Sequence, residues 1–191
     1  MSRREQALDA ALALLAEAGT RGLTHGAVDR RGGLPAGTAS NYFRTRDALL
    51  AGALNHLAHR ELALVAAFAD ADRGPATVDS LVAEAAAMVE FLLGPGRLQS
   101  VARHAIFLEA AWRPELRGTL FAVTAPFWDV LEQRLQYLGA TSPAGGARTL
   151  LACIDGVILD QLIRPQDDFD AATALRPVVA ALARGPQEGD W

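Results

Sequence analysis

The stretch that decides the fold is Thr24 to Leu50, THGAVDRRGGLPAGTASNYFRTRDALL. Its pattern indicates a short helix, a glycine turn, a second short helix and the start of a longer one. The glycines fall where the chain must turn, and small or hydroxyl-bearing side chains fall where close contact with a nucleic acid would be needed. The stretch therefore predicts a helix-turn-helix and, with it, binding to double-stranded DNA.

Capping signals around this stretch set the expected helix limits. Thr24 is a good N-cap for the second helix, which a glycine pair then stops. Pro35 suits the first position of a third helix, and Thr45 can cap a long fourth helix. Gly19 ends the amphipathic helix that precedes them. The expected helices of this part of the chain are about 4–18, 25–31, 35–42 and 46–69.

The rest of the chain shows helical periodicity broken by glycine and proline. Further helices are expected at about 77–93, 98–112, 114–138, 147–164 and 170–184, with a longer loop at 139–146. Pro126 lies inside one of these segments and should kink or split it. Since no convincing strand occurs, the sequence predicts an all-α fold of about nine helices, with a disordered tail after residue 185.

The bulk composition agrees with a helical globular protein. The chain has 191 residues, of which 51% are hydrophobic and 21% charged. No apolar run reaches the roughly 18 residues of a membrane span. Acidic residues at helical spacing interrupt the apolar N-terminal stretch, which favours an amphipathic helix over a signal peptide. The single cysteine, Cys153, excludes an internal disulfide, so we expect a cytoplasmic protein without membrane contact.

Charge is distributed unevenly along the chain. Residues 1–50 contain seven arginines and five acidic residues, a net charge of +2. The remainder contains eleven arginines and seventeen acidic residues, a net charge of −6. An electropositive end on an acidic body is expected when only that end meets phosphate.

The N-terminal pattern resembles that of the TetR family of transcriptional repressors. The resemblance covers about residues 4–50 and rests on AALALLAEAG at 10–19, GLT at 22–24 and GLPAGTASNYFRTRDALL at 33–50. LEAAWRPELR at 108–117 and IDGVILDQLIRP at 154–165 are similar to phrases of the family's C-terminal helices. The resemblance implies a three-helix helix-turn-helix DNA-binding domain at 1–48, followed by a helical ligand-binding and dimerisation domain at 49–191.

The resemblance also assigns individual residues to the DNA. It places the side chains of Thr38, Tyr42 and Arg46 on phosphates, and a hydroxyl, a phenol and a guanidinium are suitable donors there. Asn41 can bind adenine through two hydrogen bonds, and Ala36 can contact a thymine methyl group. The residues expected at the DNA are Thr24, His25, Ala36, Gly37, Thr38, Ser40, Asn41, Tyr42 and Arg46.

For the C-terminal part, the resemblance implies a ligand pocket among the central helices. Aromatic side chains and methionine supply suitable apolar surface, although core packing is the favoured explanation for any single one of them. Two polar residues on one helix are further candidates for contact with a ligand. The residues expected to line the pocket are Met88, Phe91, His104, Phe107, Glu109, Trp112, Phe127 and Trp128.

The last two predicted helices carry more hydrophobic surface than a peripheral hairpin needs. In the family this hairpin pairs with its symmetry mate as a four-helix bundle. Such a twofold dimer presents two recognition helices about 34–36 Å apart, which matches one turn of DNA. The residues expected at the dimer interface are Leu150, Leu151, Ile154, Val157, Ile158, Leu162, Leu175, Val178, Val179 and Leu182.

These patterns predict a homodimeric repressor that a small, partly apolar ligand releases from a double-stranded DNA operator. No nucleophile–base arrangement or phosphate-binding loop indicates an enzyme. His56 and His59 lie three residues apart but lack the second ligand cluster of a metal site. We therefore expect neither catalysis nor a cofactor. Two alternatives remain: a TetR-like interaction or ligand-binding protein without DNA binding, and a small-molecule enzyme.

Overall fold

A computed structural model describes residues 1–69 and 76–184 of the chain. Over these residues the polypeptide forms nine helices and no strand, so the all-α prediction is confirmed. The tail expected to be disordered after residue 185 lies outside the described residues. The helices are α1 Arg3–Gly22, α2 His25–Arg31, α3 Thr38–Tyr42, α4 Arg46–Ala69, α5 Val78–Leu93, α6 Arg97–Trp112, α7 Pro114–Tyr137, α8 Pro143–Ile163 and α9 Ala171–Arg184.

Several helix limits follow the capping signals of the sequence. The Oγ1 atom of Thr24 caps α2 by accepting a hydrogen bond from the Ala27 amide at 3.2 Å. Thr77 and Ser80 form a reciprocal capping box at the start of α5. Gly19 adopts φ +63° and interrupts α1 at its predicted end, although a last helical turn follows it. Local hydrogen bonding therefore explains these boundaries.

Other limits differ from the prediction. The sequence predicts that α3 begins at Pro35, but it begins at Thr38 because Gly37 adopts a left-handed φ of +87° and closes a turn first. The helix α8 begins at Pro143, earlier than predicted, since proline is well suited to a first helical turn. Pro126 does not split α7, which continues through it.

The chain divides into two compact units. The first comprises Met1–Ala63 and Gly96–Thr124, and the second comprises Leu64–Pro95 and Ala125–Trp191. These units do not follow the boundary expected after residue 48, because α6 and most of α4 pack with the first three helices. The functional division of the chain therefore need not match its packing units.

The first unit is built around α1, which packs along α6 and against α2 and α3. Leu8, Leu12 and Leu15 recur at helical spacing on α1 and are almost completely buried. They pack in one core with residues of α4 and with Ile106 of α6. Phe43 belongs to the same core, as its apolar character predicts. This packing holds α2 and α3 on a rigid base.

In the second unit, α5 packs against α8 and α9, and α8 packs against α9. Val89 of α5, Ile158 of α8 and Leu175 of α9 are fully buried in its core. None of the helices in the described ranges has the length and apolar composition needed to cross a membrane.

Candidate nucleic-acid interface

The helix-turn-helix consists of α2, the turn at residues 32–37, and α3. The amide of Gly32 donates to the carbonyl of Val28 at 2.9 Å and ends α2, and the Leu34 amide donates to the Asp29 carbonyl at 2.8 Å. Gly37 then takes the left-handed conformation that starts α3. The turn is therefore fixed by backbone hydrogen bonds and by two glycines with positive φ, Gly33 at +60° and Gly37 at +87°.

Asp29 connects the two helices of this motif. Its side chain is only 4% exposed. Its Oδ2 accepts a hydrogen bond from the Gly37 amide and its Oδ1 one from the Ala39 amide, both at 2.8 Å. The N-cap of α3 is a glycine without a side chain, so these amides need an acceptor from elsewhere in the chain. That glycine cap was the signal in the sequence that could have revealed the role of Asp29.

The predicted contacts on and before α3 fall into two groups. Ala36, Asn41 and Tyr42 are exposed, and 48% of Tyr42 is accessible to solvent. By contrast, Thr38 is only 8% exposed and its hydroxyl donates to the Pro35 carbonyl at 2.6 Å. The Ser40 and Thr38 hydroxyl protons are thus both used inside the protein, since Ser40 donates to Gly37 at 2.9 Å.

A cleft of about 250 Å³ lies between α2 and the turn. It brings together four residues that the sequence assigns to the DNA. One of them, His25, also makes a contact of 2.6 Å between its Nε2 atom and the carbonyl of Phe43, joining the start of α2 to the end of α3. The cleft is lined by His25, Gly26, Asp29, Arg30, Leu34, Ala36, Gly37 and Ser40.

Arg46 is not directed as the sequence predicts. Its guanidinium donates through Nη2 to the carbonyl of Thr20 and through Nε to the carbonyl of Leu23, the latter at 3.4 Å. Its Nη1 atom lies 3.8 Å from Glu109. The physical reason is that the carbonyls at the end of α1 carry partial negative charge and can accept a further hydrogen bond, which a cation donates well. In this conformation the guanidinium of Arg46 is therefore engaged within the protein and is not directed toward a phosphate.

Sequence reasoning missed another arginine near α3. Arg44 follows Phe43 directly and is exposed. It precedes Thr45, whose Oγ1 caps α4 by accepting from the Ala48 amide at 3.0 Å. An exposed guanidinium next to the recognition motif is well suited to phosphate. The only signal in the sequence was its position between the two helices.

Comparison with known proteins relates this arrangement to a family. A family model described as the tetracyclin repressor-like C-terminal domain matches residues 76–185, more than half of the chain. The chain belongs to the TetR family. It is a ligand-responsive, DNA-binding transcriptional regulator. No curated protein matches the chain.

Solved structures of similar architecture cover nearly the whole chain. A transcriptional regulator from Rhodococcus sp. Rha1 shares the fold with a TM-score of 0.80 at 24% identity, covering 96% of this chain and 97% of that one. A TetR-family member from Streptomyces coelicolor A3 has a TM-score of 0.75 at 29% identity, covering 95% and 98%. The multidrug binding protein EbrR, complexed with ethidium, has a TM-score of 0.74 at 26% identity, covering 95% and 98%.

In this TetR-family chain, the residues predicted to line a ligand pocket are divided between the two units. In the first unit, His104 is 8% exposed and its Nδ1 atom lies 2.8 Å from the Ser100 carbonyl. Its ring centroid is 6.2 Å from that of Phe107, a half-buried residue that packs against the first core. These two residues are therefore adjacent on α6.

The second unit holds three of the aromatic candidates and a methionine. Met88 and Phe91 pack, partly buried, against the second core. Phe127 and Trp128 are also partly buried. The guanidinium of Arg148 lies over the Trp128 ring, 4.7 Å from its centroid, in a cation–π contact.

The surroundings of Glu109 and Trp112 differ from those expected of residues that line a pocket. Glu109 accepts a hydrogen bond from the Thr20 hydroxyl at 2.7 Å and one from Arg113 Nε at 2.5 Å. The indole of Trp112 is 84% exposed. Both residues lie in the last turns of α6, where one side faces α1 and the other faces solvent, so helix periodicity alone did not separate them from pocket positions.

The predicted dimer residues also divide into two groups. Half of them are used in the core of the second unit, because an apolar stripe at helical spacing serves packing within a chain as well as packing between chains. The buried residues are Leu150, Ile154, Ile158, Leu175 and Val179. The half-buried residues, which keep surface for a partner, are Leu151, Val157, Leu162, Val178 and Leu182.

Proposed function

We propose that this chain is a repressor that binds a pseudo-palindromic operator as a homodimer and leaves it when a small, partly apolar ligand binds. The observation that carries the proposal is the buried contact of Asp29 with the first amides of α3, which sets the angle between the two helices of the motif. Membership of the TetR family supports the same function. We assign DNA binding to residues 1–48 and ligand binding and dimerisation to 49–191.

The proposed DNA contacts lie on and beside the exposed side of α3. Asn41 has the amide group needed to bind adenine in the major groove, and Ala36 has a methyl group for thymine. Tyr42 has a half-exposed phenol that can donate to a phosphate. His25, Gly37 and Ser40 line the cleft between α2 and the turn, and Thr24 contributes the N-terminus of α2.

The proposed dimer surface is the outer side of α8 together with α9. Along α8, Thr149, Ala152 and Gly156 are exposed, and these small residues would let a partner helix approach closely. Half-buried apolar residues beside them, such as Leu151 and Val157, would complete the contact. This surface supports the four-helix bundle that the family resemblance implies.

The proposed effector is a small molecule with an apolar or aromatic part. EbrR, a structural relative at 26–28% identity, has been solved in complexes with proflavin and ethidium. Within the second unit, partly buried aromatic side chains such as Phe91 and Trp128 provide surface for a similar molecule. A ligand that prefers one form of the dimer a hundredfold would shift the equilibrium by about 2.7 kcal/mol.

DNA binding and oligomeric state test this proposal together. We expect the full-length protein to retard a duplex from upstream of its own gene and to elute as a dimer in size-exclusion chromatography with light scattering. Asn41→Ala should bind that duplex about tenfold more weakly while its affinity for a scrambled duplex stays unchanged. Equal affinity of the wild-type protein for both duplexes, or a monomer at working concentration, would contradict the proposal.

A further inference from the structure

Five residues form a hydrogen-bonded charge network within the first unit. Glu109, near the end of α6, accepts hydrogen bonds from the Thr20 hydroxyl at 2.7 Å and from Arg113 Nε at 2.5 Å. Arg113 Nη1 also donates to Asp47 in the first turn of α4. Arg46 lies 3.8 Å from Glu109. The network thus joins the end of α1, the start of α4 and the end of α6.

The position of Arg46 in this network differs from that of a phosphate-binding side chain. Its side chain is 34% exposed, and its Nη2 and Nε atoms donate to the carbonyls of Thr20 and Leu23. The Thr20 carbonyl belongs to the last turn of α1, after the break at Gly19, and Leu23 is the C-cap residue of that helix. A guanidinium satisfies two such groups at once, which the single ammonium of lysine does with poorer geometry.

Glu109 supports Arg46 electrostatically. It is 19% exposed, and it lies among two guanidinium groups and one hydroxyl. The Thr20 hydroxyl, helped by Arg113 and Arg46, holds the pKa of the Glu109 carboxyl below its usual range in spite of partial burial. The carboxylate is therefore charged at neutral pH and holds Arg46 close to the end of α1.

The place of this network in the chain gives it consequences for DNA binding. Thr20 and Leu23 lie immediately before Thr24, the residue that caps α2. Asp47 lies just after the loop that follows α3. The network therefore fixes the two points at which the helix-turn-helix joins the rest of its unit, and small displacements there would tilt α2 and α3.

We propose that Arg46 and Glu109 are positioning residues for DNA binding: they hold the corner between α1 and α2 and do not themselves bind phosphate. This inference rests on the proposed function. In this proposal the charge of Arg46 holds the corner between α1 and α2, and the exposed Arg44 beside α3 is a guanidinium available to the DNA backbone.

Matched variants at Arg46 distinguish positioning from phosphate binding. Both Arg46→Ala and Arg46→Lys should weaken binding of the upstream duplex by about tenfold, since alanine has no donor and the lysine ammonium can donate to both carbonyls only with poorer geometry. The slope of log affinity against log salt concentration should stay unchanged in both. Arg44→Ala should instead reduce that slope by about 1, the effect of one lost phosphate contact. Arg60→Lys, on an exposed ion pair between α1 and α4, is the control.

Glu109→Gln tests the same network by removing a negative charge, whereas the Arg46→Ala variant removes a positive one. Gln still accepts a hydrogen bond from Thr20 but removes the charge beside Arg46, so we expect about threefold to tenfold weaker binding. The loss in the double variant Arg46→Ala, Glu109→Gln should be smaller than the product of the single losses, because the two residues act together. Circular dichroism confirms that each variant is folded at the temperature of the assay.

Three results would overturn the inference. They are full affinity in Arg46→Lys, a salt slope that falls by about 1 in Arg46→Ala, and tighter binding by Glu109→Gln. A wild-type protein that binds no duplex would overturn the proposed function instead. A wild-type protein that binds, with Arg46 and Glu109 variants that do not differ from it, would overturn this inference alone.

Discussion

The carboxylate of Asp29 on α2 accepts a hydrogen bond of 2.8 Å from the backbone amide of Ala39 on α3, and both residues are buried. Its other oxygen accepts one from the Gly37 amide at the same distance. The helix α3 has only five residues, too few to be stable without tertiary contacts. The orientation of the helix that we assign to the major groove therefore depends in part on this buried side chain.

Asp29→Asn should lower the free energy of unfolding by about 1.5–3 kcal/mol, because its amide turns a donor toward one backbone N–H. Affinity for the upstream duplex should fall about tenfold for each 1.4 kcal/mol spent on reorienting α3. Urea unfolding followed by circular dichroism measures the first quantity, and fluorescence anisotropy the second. Asp168→Asn, at an exposed carboxylate before α9, is the control. A free energy of unfolding in Asp29→Asn equal to that of the wild type would contradict this role.

Gly37→Ala tests the turn that sets the start of α3. Alanine at a φ of +87° is strained by about 1–2 kcal/mol, and we expect a loss of stability and DNA affinity of that order. Gly118→Ala is the matched control, because a Cβ atom there meets nothing within 4 Å. In a helix that change should instead stabilise the protein by about 0.5–1 kcal/mol. Thermal unfolding of the two variants should therefore shift in opposite directions.

The sequence predicts the elements of this fold well because their limits depend on neighbouring residues. Thr24 and Thr77 cap helices through hydrogen bonds that span three residues. The contacts that orient the motif are not of this kind. Glu109 reaches Thr20 across 89 positions of sequence, and no periodicity of either helix indicates that pairing. The sequence assigns Arg46 to phosphate, but a guanidinium suits a helix end and a phosphate equally well. Residue spacing does not distinguish these two partners.

The apolar stripes of α8 and α9 show a second limit of sequence reasoning. Ile158 and Val157 are adjacent and equally hydrophobic, yet Ile158 is fully buried in the core of its own unit and Val157 is not. Hydrophobic spacing shows that a helix has two covered sides, but it does not show which side faces another chain. That distinction needs the packing against α5.

Asn41 and Tyr42 should respond differently to substitution, because one is assigned to a base and the other to a phosphate. Tyr42→Phe removes one hydrogen bond and should weaken binding about threefold to tenfold for every duplex. Asn41→Ala should change the order of preference among duplexes with single base-pair changes. Anisotropy titrations with such a set of duplexes measure both effects. A change in base preference by Tyr42→Phe would exchange the two assignments.

The contribution of Glu109 to the free energy of unfolding should decrease as the pH falls. Its pKa lies below the ordinary value of 4.5, chiefly because the Thr20 hydroxyl donates to the carboxylate. The stabilisation is therefore complete above the unfolded-state pKa and is lost as pH falls through the lower folded-state pKa. The difference in unfolding free energy between wild type and Glu109→Gln should be constant from about pH 6 to 8 and should shrink below about 4.5. A difference that changes near neutral pH would contradict this assignment.

Variants on the exposed and the buried side of α8 should separate effects on dimerisation from effects on folding. Gly156 is exposed and a Cβ atom there meets no atom within 4 Å, so Gly156→Glu should leave the fold of one chain intact. In the proposed dimer the same carboxylate would face its symmetry mate across a close helix contact, and we expect monomers. Ile158 lies on the opposite, buried side of the same helix. Ile158→Ala should instead lower the free energy of unfolding by about 2–5 kcal/mol. Light scattering and urea unfolding of both variants measure the two effects, and a Gly156→Glu protein that stays dimeric would move the interface to another surface.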